Sequence, residues 1–557
     1  MSERKLIGKV SATEKYPSSC DDFQFWLSDD VVLSPFDVVC VENKTDGSIT
    51  YGVVQDILHI TDGTSHISNY VSSDFGDVSR DPMTHRLALS YAKVSVTHNT
   101  KENFMPVFEG APVYTADKDD IEVALGLDKI DKKTAFPAGL MTTGNNISVP
   151  IIYNGDFLIG PEGAHMNVSG ISGLATKTSY IMFLLKAIQH KRQDDVAIIV
   201  MNVKGDDLLH VHQPNDQITE AQRSEWDALG IPCTPFENVK YLYPYRRQSE
   251  KHHTNTALSA EDVAEQFREK RASNFVYTFD HDISKVEMLF SNVDDPNWTI
   301  ESILSFIETS REFSGDMSWD DFKGKLKEFV NAGKTERTAK EIPVQSWRRF
   351  SRLIHNSIGD DIFVNSKSDS DSQHQVYLSD AIKNINGGQM MVVDIAGLTE
   401  QLQCLVFGDI IRSVYELKHG DFEQDERHSS KPIPKKIIIF VDELNKYAPS
   451  TSSKNSPLLA NLLDITERGR SEGVVLFSAE QFRSAIHDRI KGNCGTNVYG
   501  RTNAIEVSRP DYKFVPTVYA NMMTRLKKGD LIIHHPVFKT LLKIHFPFPS
   551  YNQGGSK

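Results

Sequence analysis

The rhythm of apolar and polar positions changes near residue 136. Before it, short alternating or apolar runs recur at 6–11, 23–27, 37–42, 50–55 and 87–97, separated by turn-forming clusters at 43–47 and 62–65. Regular short strands between turns predict a small β-barrel or sandwich over 1–135. After it come a short strand at 166–169, ahead of a glycine loop, and runs at 196–203, 390–395, 436–441 and 474–479 that are apolar almost throughout and too short for helices. Continuous apolar strands alternating with helices predict a mostly parallel sheet covered on both faces. Residues 178–189, TSYIMFLLKAIQ, are apolar nearly all round, as a helix packed against such a sheet should be.

Between the second and third apolar strands the pattern turns helical over 256–380. Ser259-x-x-Asp262 and Ser318-x-x-Asp321 read as capping boxes, and Pro343 opens a helix over 344–358. In that helix Trp347, Phe350, Ile354 and Ile358 share one face, and Arg348, Arg349 and Arg352 fall mostly on the solvated side. Two polar stretches, 366–373 and 420–436, read as connectors. Runs at 530–535 and 541–546 predict one or two further strands. The plan is thus a barrel (1–135), the first part of an α/β core (136–255), a helical insertion (256–380), the second part of the core (381–510) and a C-terminal extension (511–557).

Composition narrows this little. The net charge of −14 argues against a surface that coats nucleic acid, but not against DNA held inside a ring, where a few basic residues per subunit are multiplied by symmetry. Cys20, Cys40, Cys233, Cys404 and Cys494 lie far apart without a CxxC pair, which fits reduced thiols and a cytoplasmic protein. No apolar run approaches the ~18 residues of a membrane span, and MSERKLIGKV lacks a secretory signal. The histidines, His210, His212, His252, His253, His281, His534 and His535 among them, are scattered without metal-ligand spacing.

The chemistry starts at KIIIFV, 436–441, which ends in Asp442-Glu443. A buried strand delivering two carboxylates to its carboxyl end suits nucleotide hydrolysis: the first holds Mg²⁺ through water, the second orients an attacking water. A core strand followed by a solvated acidic turn would look the same. The partner that favours the first reading is GISGLATKTS, 170–179. It has the parts of a phosphate loop: backbone N–H groups and a helix N-terminus converging on phosphate oxygens, a lysine for charge and a hydroxyl for Mg²⁺. Gly170, Gly173, Leu174, Ala175, Thr176, Lys177, Thr178 and Ser179 are the candidate ATP-binding residues, with Thr178 and Asp442 the candidate Mg²⁺ ligands. The loop departs from the usual pattern, because its glycines are not at the first and sixth positions and Thr176 precedes the lysine.

Just before the fifth strand, TERGRSEG (466–473) carries Arg468 and Arg470. In ring ATPases an arginine reaching a neighbour's γ-phosphate is worth ~10³–10⁵ in rate. A surface ion pair is the alternative for either one. After the strand come Glu480 and Gln481, and the Gln481 amide is placed to sense phosphate or water.

With these residues in view, the chain as a whole resembles the HerA family, hexameric ATPases of the HerA/FtsK group that act on double-stranded DNA. In the N-terminal part, IGKVSATE, FQFWLSDDVVLSPFDVVCVEN, ITYGVVQDI and PVFEGAPVYTADKDDIEVALGLD are similar to the family's HAS barrel. In the core, GPEGAHMNVS, NVKGDD, VDELNKYAP and ERGRSEGVVLFSAEQ carry the likeness. The resemblance implies a RecA-like P-loop NTPase core with an N-terminal HAS-like barrel, an inserted helical bundle and a C-terminal extension. It implies Lys177 and Thr178 on the phosphates and Mg²⁺, and Asp442 and Glu443 as the Walker B pair with Glu443 catalytic. Gln481 would be the sensor, and Arg468 or Arg470 the arginine acting across a subunit boundary. Lys204 and the 445–455 loop with Lys446 and Lys454 are candidate pore contacts to DNA. GISGLATKT in place of GxxGxGK[ST] is similar to a branch of HerA-like proteins that work with an effector, a nuclease or a sirtuin-like NAD-hydrolysing protein, in bacterial antiviral defence.

Overall fold

The computed structural model describes residues 4–79, 87–171, 176–295, 297–331, 342–368, 373–420, 432–451 and 456–554. The chain forms two units, one from Met1–Asn154 with Arg501–Phe546, the other from Gly155–Gly500 with Pro547–Lys557.

In the first unit, β1 (Leu6–Val10), β2 (Asp22–Leu27), β3 (Val38–Glu42), β4 (Ile49–Thr61), β5 (Ala88–Asn99) and β6 (Pro112–Thr115) close into an antiparallel barrel in the order β1-β2-β5-β4-β3-β6. Closure, rather than a sandwich, leaves this sheet without free edges. Alternate residues point inward, so Phe23, Phe25 and Leu27 of β2 join Ile7, Val39, Val41, Val54 and Val94 in one core. Strands β7 (Ala135–Thr142) and β8 (Ser148–Asn154) form a hairpin beyond the barrel.

The second unit is built on parallel strands: β9 (Met166–Ser169), β10 (Val196–Asn202), β11 (Val239–Pro244), β12 (Ala272–Val276), β13 (Gln375–Tyr377), β14 (Met390–Asp394), β15 (Lys436–Asp442), β16 (Val474–Glu480) and β17 (Thr496–Tyr499). Their order is β13-β12-β11-β14-β10-β15-β16-β9-β17. Each apolar run of the α/β core thus becomes a strand within a residue or two of its expected bounds. The stretch expected to be helical also supplies β12 and β13, and β11 was not foreseen. ASNFV, QVY and VKYLYP carry polar residues that break the apolar run by which a buried parallel strand is recognised.

Helix α1 (Thr176–Lys191) follows β9 and is buried on nearly all sides. Helix α2 (Val344–Ser357) starts after Pro343 and buries Trp347, Phe350 and Ile354 completely, as its periodicity predicts. Of its arginines, Arg349 donates to Asp294 O at 2.6 Å and Arg348 to Val330 O at 3.4 Å, so the polar face is tied down as well as solvated. Trp319, Phe322, Trp347 and Phe350 from the insertion share a core with β10, β14, β15 and the long helix α3 (Glu400–His419). Among the described residues, no helix is long and apolar enough to cross a membrane.

The chain then returns to the first unit with β18 (Asp530–His534) and β19 (Leu542–His545), an antiparallel pair whose second member lies against β7. The approach is close at Gly139, where a Cβ would sit 2.7 Å from His545 O and φ is +149°. Tyr519 stacks on Phe36 at 4.2 Å and donates its hydroxyl to Val54 O, tying 501–546 to the N-terminal residues.

One ion cluster in the insertion makes stability depend on pH. His281 lies 2.8 Å from Asp282 and 3.7 Å from Asp380, stacked on Tyr377. Burial opposes its charge, but the hydrogen bonds to Asp282 and Asp380 outweigh burial and raise its pKa to about 9. A folded value above the ordinary 6.5 means this stabilisation is fully present below pH 6.5 and lost as pH rises through 9. The gap in melting temperature between the wild type and His281→Gln should therefore shrink from pH 6 to about pH 10. A constant gap would contradict it.

Candidate functional site

In the second unit the carboxyl ends of β9 and β15 lie on either side of β16. That order leaves room above the middle strand, and it draws together residues far apart in sequence. Ligands of parallel sheets gather at this edge. The buried strand β9 gives way to the loop at Gly170, and α1 begins at Thr176. Gly173, Leu174 and Ala175 lie outside the described residues. Thr176, Lys177 and Ser179 are buried in the first turn of α1, and Thr178 is half-buried.

Thr178 donates its hydroxyl to Asp442 Oδ2 at 3.4 Å. This contact places the phosphate-loop helix and the acidic strand end at one site. The buried Lys177 Nζ donates to Gly170 O at 2.8 Å. Burial lowers the Lys177 pKa, and the charges of Asp442, Glu480 and Glu443 act the other way. Ser179 Oγ is met by Gln553 Nε2 at 3.1 Å, from a tail that also accepts from Trp226 Nε1 through Phe548 O.

Glu443 leaves the strand in the left-handed region, with φ 58°. Such backbone costs a non-glycine residue of order 1–3 kcal/mol and is held here by two hydrogen bonds from its own N–H. They run to Ala479 O at 2.7 Å and Asp442 Oδ1 at 2.9 Å. The turn aims the Glu443 carboxylate away from the sheet axis, where Lys446 meets it at 2.6 Å and Lys204 at 3.6 Å. Lys204 also lies 3.1 Å from Asp442. Burial would raise the Glu443 pKa, but the hydrogen bond and charge of Lys446, with Lys204, prevail and hold it below the ordinary value. Lys204 and Lys446, read from sequence as DNA contacts, are thus paired with the acidic couple, and Lys454 lies outside the described residues.

Among the described residues no group of three or more His, Cys, Asp or Glu could hold a metal ion by itself. The pair Thr178 and Asp442 nevertheless fits Mg²⁺, which takes one or two hard protein oxygens and completes its shell with phosphate and water.

Arg468 and Arg470 are not brought to this site. They lie on a π-helical turn, Ile465–Gly469, and the short helix after it, following α4 (Pro457–Asp464). This is the amino end of β16, and its seven residues put roughly 20 Å between them and the acidic pair. Arg470 donates to Glu162 O at 3.2 Å, and Arg468 pairs with Asp464 at 3.4 Å, its side chain 80% exposed. Gln481 stands at the carboxyl end of β16, half-buried.

Two buried acids were given no role of their own in the sequence. Asp394, at the end of β14, accepts from Asn202 and Thr256, and burial raises its pKa to about 6. Glu480 is fully buried at the end of β16, and burial raises its pKa to about 8 against the charge of Arg483. Both read as strand-end polar residues until the strand order puts them at the ligand edge.

No protein-family model matches the chain, and no curated protein matches it significantly. Among solved structures, the unbound bacterial conjugative coupling protein TrwBΔN70 is similar at 11% identity and a TM-score of 0.44, over 77% of this chain and 93% of its own. The plasmid coupling protein TrwB in complex with ADP and Mg²⁺ follows at 12% and 0.40, over 70% and 86%. The genome packaging NTPase B204 from Sulfolobus turreted icosahedral virus 2 is similar at 13% and 0.22, over 34% and 78%.

Proposed function

We propose that the chain binds ATP with Mg²⁺ at the carboxyl edge of its parallel sheet and hydrolyses it as one subunit of a ring, a hexamer, that moves double-stranded DNA. The observation that carries the reading is the 3.4 Å approach of Thr178 to Asp442 beside the buried Lys177. In this reading Gly170, the loop residues Gly173, Leu174 and Ala175, and the first turn of α1 from Thr176 to Ser179 cradle the phosphates. Thr178 and Asp442 hold Mg²⁺, which when bound offsets phosphate charge. Glu443 orients the attacking water and takes its proton, and Gln481 contacts the phosphate or that water. Arg468 or Arg470 reaches the γ-phosphate of the adjacent subunit, since neither serves its own site. The resemblance to the HerA family supports a motor of helicase-like type. The GISGLATKT loop supports work beside a nuclease or sirtuin-like NAD-hydrolysing effector in antiviral defence.

A subunit-mixing experiment tests the shared site. Lys177→Ala and Arg470→Ala chains are each expected to be inactive in ATP hydrolysis. Mixed in equal amounts, they should recover about a quarter of wild-type activity, because one interface in four joins an intact loop to an intact arginine. No recovery, repeated with Arg468→Ala, would place the site within one chain.

One observation favours a second reading, a ring scaffold that binds ATP and organises the effector without moving DNA. Lys204 and Lys446 are engaged with Asp442 and Glu443 rather than held free for phosphates. Hydrolysis stimulated by duplex DNA, with the stimulation falling as salt rises, would support the motor. Hydrolysis indifferent to DNA and salt would support the scaffold.

A further inference from the structure

Three buried oxygens lie at the root of the phosphate loop. Ser169 and Glu480 are register partners on β9 and β16, both with zero exposure. Among the described residues, Ser169 Oγ and both carboxyl oxygens of Glu480 have no close hydrogen-bond partner. Asn167, whose amide favours the Glu480 carboxylate, gives an N–H to Ser478 Oγ at 3.1 Å, and Arg483 donates from Nη1 to Asn167 Oδ1 and Asn497 Oδ1 at 2.9 and 2.6 Å, so its charge acts on Glu480 without a close bond. An unsatisfied buried polar atom costs about 1–3 kcal/mol, so three at one place need a reason. A neighbour able to satisfy them is Lys177, whose charge acts on Glu480. Its ammonium carries three donors, and one goes to Gly170 O. The backbone makes the same link from the other side, with Gly170 N donating to Glu480 O at 3.1 Å.

We propose that Ser169 and Glu480 form a polar seat beneath the phosphate loop for the Lys177 ammonium, which makes Glu480 a positioning residue for phosphate binding. This rests on the nucleotide site proposed above. The physics fits a seat better than a fixed salt bridge. A carboxyl already bonded to the lysine would compete with the phosphate, whereas one left unbonded beside it offers a second position at little cost. The side chain can then move between Gly170 O and the seat when a phosphate binds. An ordinary core position would carry an apolar residue here.

The test compares Glu480→Met, which keeps the bulk and removes the oxygens, with Glu480→Gln, which keeps hydrogen bonding. Melting temperature and the affinity for Mg²⁺–ADPNP are measured for both, beside the wild type and Lys177→Ala. Glu480→Met is expected to melt at or above the wild-type temperature, because it loses buried unpaired oxygens, and yet to bind about tenfold more weakly. Glu480→Gln should stay within about threefold of the wild type. Wild-type affinity in Glu480→Met overturns the seat. So does a parallel fall in melting temperature and affinity, which marks a plain packing residue, and so does a loss in Glu480→Gln as large as in Glu480→Met. A wild type that binds no better than Lys177→Ala instead defeats the nucleotide site itself, and the seat with it.

Discussion

Glu443→Gln is expected to lower ATP hydrolysis by about 10²–10⁴ while nucleotide binding stays near the wild-type level. Gln keeps the length and can still accept from Lys446, so the left-handed turn and its two backbone hydrogen bonds survive. What it loses is the ability to take a proton from water. Lys177→Ala should differ in kind, losing binding and hydrolysis together, because its ammonium is the positive charge in the first turn of the loop helix, where the charge of Asp442 acts on it. Steady-state phosphate release and a Mg²⁺–ADPNP titration on both variants separate the two effects. Wild-type turnover in both would remove this site from the chemistry.

The second large effect concerns stability. Lys285 lies 2.8 Å from Asp282 and 2.9 Å from Asp409, with side-chain exposures of 9%, 3% and 0%. It joins the insertion to α3, on which Asp409 sits. Burial alone would strip the charge from this lysine, but the two carboxylates reverse that and raise its pKa. Lys285→Met leaves Asp409 buried with no cation and Asp282 with His281 alone, a loss of about 3–5 kcal/mol. Chemical denaturation should show it directly. Combining it with Asp409→Leu should recover much of the loss, since apolar groups then replace the buried Lys285–Asp409 pair while Asp282 keeps His281. A single variant as stable as the wild type would mean that water already reaches these groups.

How much was legible in the sequence varies by element. β10, β14, β15 and β16 were readable because strands covered on both faces must be apolar on both, and β9, MNVS, from its place before the glycine loop. Five barrel strands were readable from alternating or apolar runs, whereas the short β6 was not, nor was which strand pairs with which. Strands β11, β12 and β13 were hidden because their polar residues mimic loops and helix ends. Within the site, Lys177, Thr178, Asp442 and Glu443 announced themselves by type and position. The Lys446–Glu443 pair is local, three residues apart, whereas the pairing of Lys204 with Glu443 depends on β10 lying beside β15, and the Ser169–Glu480 seat on β16 lying beside β9. That order is a property of tertiary folding, and no local pattern encodes it.

The return of residues 501–546 to the N-terminal unit has a consequence for biosynthesis. β7 leaves the ribosome early, but the strand it lies against, β19, is made some four hundred residues later. At about 5–20 residues per second, that flank waits roughly 20–80 s with open hydrogen-bonding groups. The first unit to be begun is therefore completed only after nearly all of the second has been made, and chaperones that shield nascent strands should matter most for this unit.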